Sequence, residues 1–231
     1  PPYTSEMIRE AIKHTIPIPY GSVTDIAPDI KVTLHNAGHI LGSSIAHFHI
    51  GDGLYNICFS GDIHYRGTRL FNGAVTDFPR VETLILESTY GGRNDYQTDQ
   101  KQAEQNLIEI VKTTTENGGK VIIPAFAVGR SQEIMLVLEE AMRTGELSEL
   151  PVYLDGMIWE ATAIHAAYPE YLRDDLRKRI FYDDENPFLA PQFHHIERGD
   201  EQRQEIQDEG PCVIISTSGM ITGGPIMSWL E

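Results

Sequence analysis

The sequence predicts an α/β protein in two parts. Residues 1–91 read as a β-rich part, and residues 92–231 as a three-layer α/β part with a mainly parallel sheet. Three observations predict this. Short apolar β runs divided by Gly-rich turns fill the first part, as in an antiparallel sheet. After Tyr90-Gly91-Gly92 the rhythm changes to strand–helix alternation, the pattern of a parallel sheet with helices on its faces. Finally, 41% hydrophobic and 23% charged residues over 231 positions describe a folded chain long enough for a sizeable core.

The elements follow in order. Thr4 is placed to cap a helix that carries Met7, Ile8, Ala11 and Ile12 on one face. Residues 31–34, 45–50 and 54–59 are consecutive strands, and 82–86 is a further β run. Gly51-Asp52-Gly53 reads as the hairpin loop between the second and third. Residues 95–117 have a helical stripe of Leu107, Ile110, Val111 and Thr114, ended by Gly118-Gly119. A buried-type strand at 120–125 precedes a helix at 131–143, a strand at 152–154 and a helix at 158–167. Residues 177–210 are polar and acidic, and predict helix and loop on the surface. A last buried strand at 212–217 leads through a Gly-rich turn into an amphipathic piece at 226–230. No internal repeat is visible.

Charge narrows the function. With 34 acidic against 18 basic side chains the net charge is −16, which argues against coating a long phosphate backbone by bulk electrostatics. A nuclease is compatible with it, because metal ions and a few local arginines can hold a single phosphate. No apolar run reaches the roughly 18 residues of a membrane span. Pro1-Pro2-Tyr3-Thr4 has neither the basic nor the apolar part of a signal peptide. Cys58 and Cys212 lie in strand-like runs, so a disulfide framework is not expected. The expectation is a soluble, cytoplasmic protein. The absent initiator Met and the Pro-Pro opening suggest a piece of a longer chain.

Several strand ends carry side chains suited to chemistry. His35-Asn36-Ala37-Gly38-His39-Ile40-Leu41-Gly42 lies in a loop between two strands, where His39 reads either as a metal ligand or as a hydrogen-bonding loop histidine. Ser60-Gly61-Asp62-Ile63-His64 puts Asp62 where a strand becomes a loop, as a cation-bridging carboxylate or a turn-forming Asp. His47-Phe48-His49 places both rings on one strand face, which suits chelation, but the same face carries Ile45 and a structural role is the better reading. Glu87 leaves the run Leu84-Ile85-Leu86, where α/β folds place catalytic groups, or where an N-cap or a solvated loop group can equally sit. Arg130 and Ser131 follow a strand and a Gly turn at a helix start. Arg130 there is a bidentate phosphate donor and Ser131 a helix cap beside anion-favouring amides. Ser218-Gly219-Met220, with Gly223-Gly224, ends a third strand in a turn that can cradle a phosphate or be a turn only. Carboxyl ends of parallel strands share an edge, so Arg130 and Ser218 are expected to converge; Glu87 would have to meet them across the domain boundary. His165, His194 and His195 form no pattern.

Five stretches, in this order, resemble the metallo-β-lactamase/β-CASP nucleases, in the branch of archaeal homologues of the cleavage and polyadenylation specificity factor nuclease subunit. They are Ala37-Gly38-His39-Ile40-Leu41-Gly42-Ser43, Ser60-Gly61-Asp62, Glu87-Ser88-Thr89-Tyr90-Gly91, the run from Pro124 to Glu133, and Ser218-Gly219-Met220. The resemblance implies that residues 1–91 are the later part of a metallo-β-lactamase αββα sandwich and 92–231 most of the inserted β-CASP domain. It implies hydrolysis of RNA phosphodiesters, endonucleolytic or 5′→3′ exonucleolytic, with two zinc ions in the complete site. His39 is then a zinc ligand, Asp62 the carboxylate bridging both zincs, and Glu87 the acid that orients a general-acid histidine. Arg130, Ser131, Ser218, Gly219 and Met220 would bind substrate. RNA is the implied partner, with a homodimer of the whole protein.

The chain departs from that family's pattern, and the N-terminal RNA-binding modules usual in the archaeal branch are not among its residues. The motif His-x-His-x-Asp-His is absent, as are the histidines that follow the β-CASP domain, so the chain alone is expected to be inactive and to bind zinc weakly. Two rival readings stay open: a non-catalytic RNA-processing scaffold of the same fold, and a hydrolase of small esters or thioesters on the same sandwich. Intact His39, Asp62 and Glu87 weigh against the first, and an α/β cap carrying Arg130 weighs against the second.

Overall fold

A computed structural model describes residues 2–96 and 99–230. Two compact units are present. The first takes the described residues up to Ala37, with Ser43–Ile63 and Val75–Glu87; the second takes Gly38–Gly42, His64–Ala74 and the described residues from Ser88 onward. The segments 38–42 and 64–74, which the sequence groups with the β-rich part, thus pack with the later unit.

Helix α1 (Ser5–Lys13) opens the first unit, and the Thr4 hydroxyl accepts the Met7 amide at 3.3 Å, as a cap should. It buries none of its residues, so its apolar stripe of Met7, Ile8 and Ile12 faces solvent. Strands β1 (Val23–Ala27), β2 (Ile30–Asn36), β3 (Ser44–Ile50) and β4 (Tyr55–Phe59) pair antiparallel in sequence order, and β5 (Thr83–Ile85) joins β4 in parallel. Ile50 faces Tyr55 across the hairpin that Gly51-Asp52-Gly53 predicts. Strand β1 has no counterpart in the sequence expectations. All but one of its residues are exposed, so it lacks the apolar alternation that marks a half-buried strand.

The second unit is built on a sheet in the order β6 (Val121–Pro124), β9 (Val213–Ser216), β7 (Val152–Asp155) and β8 (Phe193–His195), with all three pairs parallel. Helices α2 (Gln100–Glu116), α3 (Arg130–Arg143), α4 (Ile158–Ala167), α5 (Asp174–Tyr182), α6 (Asp200–Asp208) and the short α7 (Met227–Leu230) complete it. Alternate residues of the central strands feed different cores, as the period of two requires. Val213, Ile215, Val152 and Leu154 join a large core with Met135 and Leu138 of α3 and Val111 of α2. Ile214, Ile122 and Tyr153 point the other way, into a smaller core with Ile206 of α6 and Trp229 of α7. Helices therefore cover both faces of the sheet.

Two expectations need correction here. The helix foreseen over 95–117 begins at Gln100; residues 95 and 96 are not helical, and residues 97 and 98 lie outside the described residues. The stretch 177–210 is more than surface: Phe188, Phe193, Ile196 and Ile206 are buried in the two cores. Its few apolar residues are spaced singly among charges, which hid them. The neighbouring charges are paired: Arg179 reaches Glu139 through both terminal nitrogens at 2.9 and 2.7 Å. Both cysteines are free and buried. No helix among the described residues is long and apolar enough to cross a membrane.

Candidate functional site

In the first unit, Asp62 and Glu87 are brought to one turn by strand pairing. Because β4 and β5 run parallel with Phe59 opposite Ile85, both chains leave the sheet at the same edge. Ser60 then stitches them. Its amide donates to the Ile85 carbonyl at 2.9 Å, and its buried hydroxyl accepts the Glu87 amide at 3.0 Å. The Glu87 carboxylate accepts the Ile63 amide at 3.2 Å, next to Asp62 in the chain. Two carboxylates thus share one short, backbone-anchored edge.

The histidines of β2 and β3 are interior to the same unit. His47 is buried and donates from Nε2 to the Arg80 carbonyl at 3.1 Å. His49 donates from Nδ1 to the Asn56 side-chain oxygen at 2.8 Å, and its Nε2 lies 2.9 Å from the Thr33 hydroxyl. His35 packs edge-on against Phe78 with ring centres 5.1 Å apart, and its Nε2 is buried without a hydrogen-bond partner. Burial, then the neighbouring His49, holds His35 and His47 below the ordinary histidine value. Their contacts are those of a packed core.

His39 lies in the second unit. Its neighbour Ile40 rests on Gly129, where φ is +86° and a β-carbon would come within 2.9 Å of the Ile40 methyl. Leu41 packs onto the large core. The loop that presents His39 is therefore seated on the start of α3, and only glycine fits at position 129.

Arg130 and the turn at Ser218 leave the sheet side by side. Pro124 and Ser216 are paired on adjacent parallel strands, and Gly219 touches the loop that follows β6: a β-carbon there would lie 2.9 Å from the Phe126 amide nitrogen and 3.3 Å from its ring. The Arg130 side chain is 60% exposed and makes a surface pair with Glu133 at 2.6 Å. Such a pair contributes little, so the guanidinium can turn to an anion at small cost. Among the described residues, none accepts from the amides of Gly219 and Met220, while the Ser218 hydroxyl accepts from Thr222 at 3.4 Å. Free donors and an arginine thus leave the sheet at one edge.

Ser131 does not take the place expected of it. The helix starts at Arg130, with Gly129 at the cap position and its amide held by Gln132 Oε1 at 2.7 Å. Ser131 therefore turns inward, fully buried, and its hydroxyl donates to the Phe126 and Ala127 carbonyls. It braces the loop that presents Arg130 and has no surface to offer a substrate.

Sequence reasoning passed over Asp155, the buried carboxylate at the end of β7. It accepts Arg203 through Nε and Nη2 at 2.8 and 2.9 Å, Trp229 Nε1 at 2.7 Å and the Ser216 hydroxyl at 3.4 Å. The Asp155 carboxylate, and after it Asp200, holds the Arg203 guanidinium above its ordinary pKa. The only signal in the sequence was an acid directly after a buried strand. Among the described residues, no group of three or more His, Cys, Asp or Glu side chains is arranged to hold a metal ion.

A parallel sheet covered on both faces, with an arginine and a glycine-rich turn on its carboxyl edge, defines a three-layer α/β domain. Residues 131–231 match the Beta-Casp domain. Over its whole length the chain is 59% identical to a transcription termination factor, FttA, of Methanosarcina mazei. It is 56% identical to the protein of that name from Methanocaldococcus jannaschii and 59% to that from Thermococcus kodakarensis. The chain spans 36% of the length of each of these relatives.

Proposed function

We propose that this chain is the RNA-engaging part of a longer β-CASP protein that acts in transcription termination by cutting RNA. The observation that carries the reading is the convergence of the Arg130 loop and the Ser218–Gly219–Met220 turn on one edge of adjacent parallel strands. A phosphate there would accept from the amides of Gly219 and Met220 and pair with Arg130. The similarity to proteins named transcription termination factors supports an RNA ligand. In this reading the first unit is the later part of a metallo-β-lactamase sandwich, and the second is most of the β-CASP cap.

Hydrolysis would fall to the whole protein. Zinc, when bound, would supply a Lewis acid and an activated water. The described residues do not make a zinc site by themselves, because no three suitable side chains are gathered. In this reading His39 and Asp62 are the two ligands this chain would add to others, and Glu87 would orient a general-acid histidine. The chain alone should therefore leave RNA intact in the presence of zinc, and cleavage at catalytic rates by the purified chain would contradict this.

Binding tests the reading directly. Arg130→Ala should weaken the affinity of the chain for a short single-stranded RNA and reduce the slope of log affinity against log salt by about one. An unchanged affinity and slope would remove the proposed role of Arg130.

A further inference from the structure

Two large apolar side chains stand exposed on the carboxyl edge of the second unit. Phe126, in the loop after β6, is 53% exposed, and Met220, in the turn after β9, is 67% exposed. Phe126 is not loosely displayed. Its ring lies where a β-carbon on Gly219 would approach it to 3.3 Å, and its carbonyl is held by the buried Ser131 hydroxyl. One side of the ring is thus fixed against the backbone of the residue before Met220, and the rest is open. Four residues on, the same loop presents Arg130, and the turn beneath the ring carries the free amides of Gly219 and Met220.

We propose that Phe126, flanked by Met220, is a stacking platform for a base of single-stranded RNA whose phosphate lies on the Arg130 and Gly219–Met220 cradle. This inference rests on the RNA reading above and adds to it a base-recognising surface. Sites for single-stranded nucleic acid join a cationic groove for phosphates to aromatic faces for bases, and such stacking tolerates any sequence because every base has a π face. The strongly acidic chain makes this division useful. With a net charge of −16, affinity cannot come from a broad basic surface, so base stacking must carry a large part of it. A methionine beside the ring adds a polarizable, adaptable edge.

The test compares two probes of equal length, a short fluorescent oligoadenylate and its abasic counterpart, binding to the 231-residue chain. Phe126→Ala should weaken oligoadenylate binding by about five- to a hundredfold and leave abasic binding unchanged. Phe126→Trp should restore oligoadenylate affinity, and its added indole fluorescence should be quenched by the oligoadenylate but not by the abasic strand. More than half of the Phe126 surface is exposed, so neither variant removes a core residue; equal melting temperatures would confirm that. Oligoadenylate affinity unaffected by Phe126→Ala, or an equal loss for both probes, overturns the stacking platform and leaves the RNA reading standing. If the parent chain binds neither probe at low salt, the RNA reading falls and the platform falls with it.

Discussion

The Glu87 carboxylate accepts the backbone amide of Ile63 at 3.2 Å, so the acid that leaves β5 fixes the turn that presents Asp62. This makes Glu87 a positioning group whatever else it does. Glu87→Ala should expose the Ile63 amide to faster hydrogen exchange, whereas Glu87→Gln, which keeps an acceptor oxygen, should retain most of the protection. Equal exchange in both variants would show that the carboxylate does not hold the turn.

Asp155 gives the largest expected loss of stability. Asp155→Ala leaves the Arg203 charge, only 15% exposed, without its main partner, together with the Trp229 indole and the Ser216 hydroxyl. Breaking one side of a buried pair costs about 3–5 kcal/mol. Thermal unfolding should register this, and a loss below about 1 kcal/mol would mean that water replaces the carboxylate without penalty.

Much of this fold was legible beforehand, for identifiable reasons. Strands β6 and β9 are unbroken apolar runs, and the segments between them are long enough to carry helices, so a parallel sheet followed. The pairing of Pro124 with Ser216 then brought the Arg130 and Ser218 loops to one edge as expected. Legibility failed where the signal is a single residue. Ser131 looks like a cap because caps favour serine, yet Gln132 satisfies the Gly129 amide and moves the helix start by one residue. Asp155 looked like any acid after a strand. Its partners Arg203, Ser216 and Trp229 are distant in the chain, and no local pattern can announce them.

Gly129 should be intolerant of a side chain for two independent reasons. Its φ of +86° is unfavourable for other residues, and a β-carbon would stand 2.9 Å from the Ile40 methyl. Gly129→Ala should therefore destabilise the second unit by about 1–3 kcal/mol. Nuclear magnetic resonance shifts should change in the His39 loop as well as at the start of α3. Changes confined to α3 would refute the seating of Ile40 on that glycine.

Two histidines of the first unit predict acid sensitivity. His35 and His47 are held below their ordinary value mainly by burial, so their neutral forms favour the folded state. The stability they contribute is complete above the unfolded-state value near 6.5. It is lost as pH falls below that point and through their folded values. Glu82, which bonds the Asn56 amide at 2.7 Å, and the neighbouring His49 are the other titratable groups around them. Melting temperature should fall between pH 7 and pH 5, and His35→Phe, which removes an unpartnered buried nitrogen, should lessen that fall. An identical pH profile would place the sensitivity elsewhere. His165 of the second unit, also buried with an unpartnered Nε2 and lowered by burial, is the next candidate.

The donors around Asp155 have a consequence for how the chain matures. The carboxylate emerges from a ribosome 48 residues before Arg203 and 74 before Trp229. Until those positions have been translated, sealing the α6 and α7 side of the sheet would strand a negative charge in an apolar interior. Vectorial synthesis must therefore leave that layer open until Trp229 has been made, and a nascent polypeptide stalled short of Trp229 should stay vulnerable to proteases there.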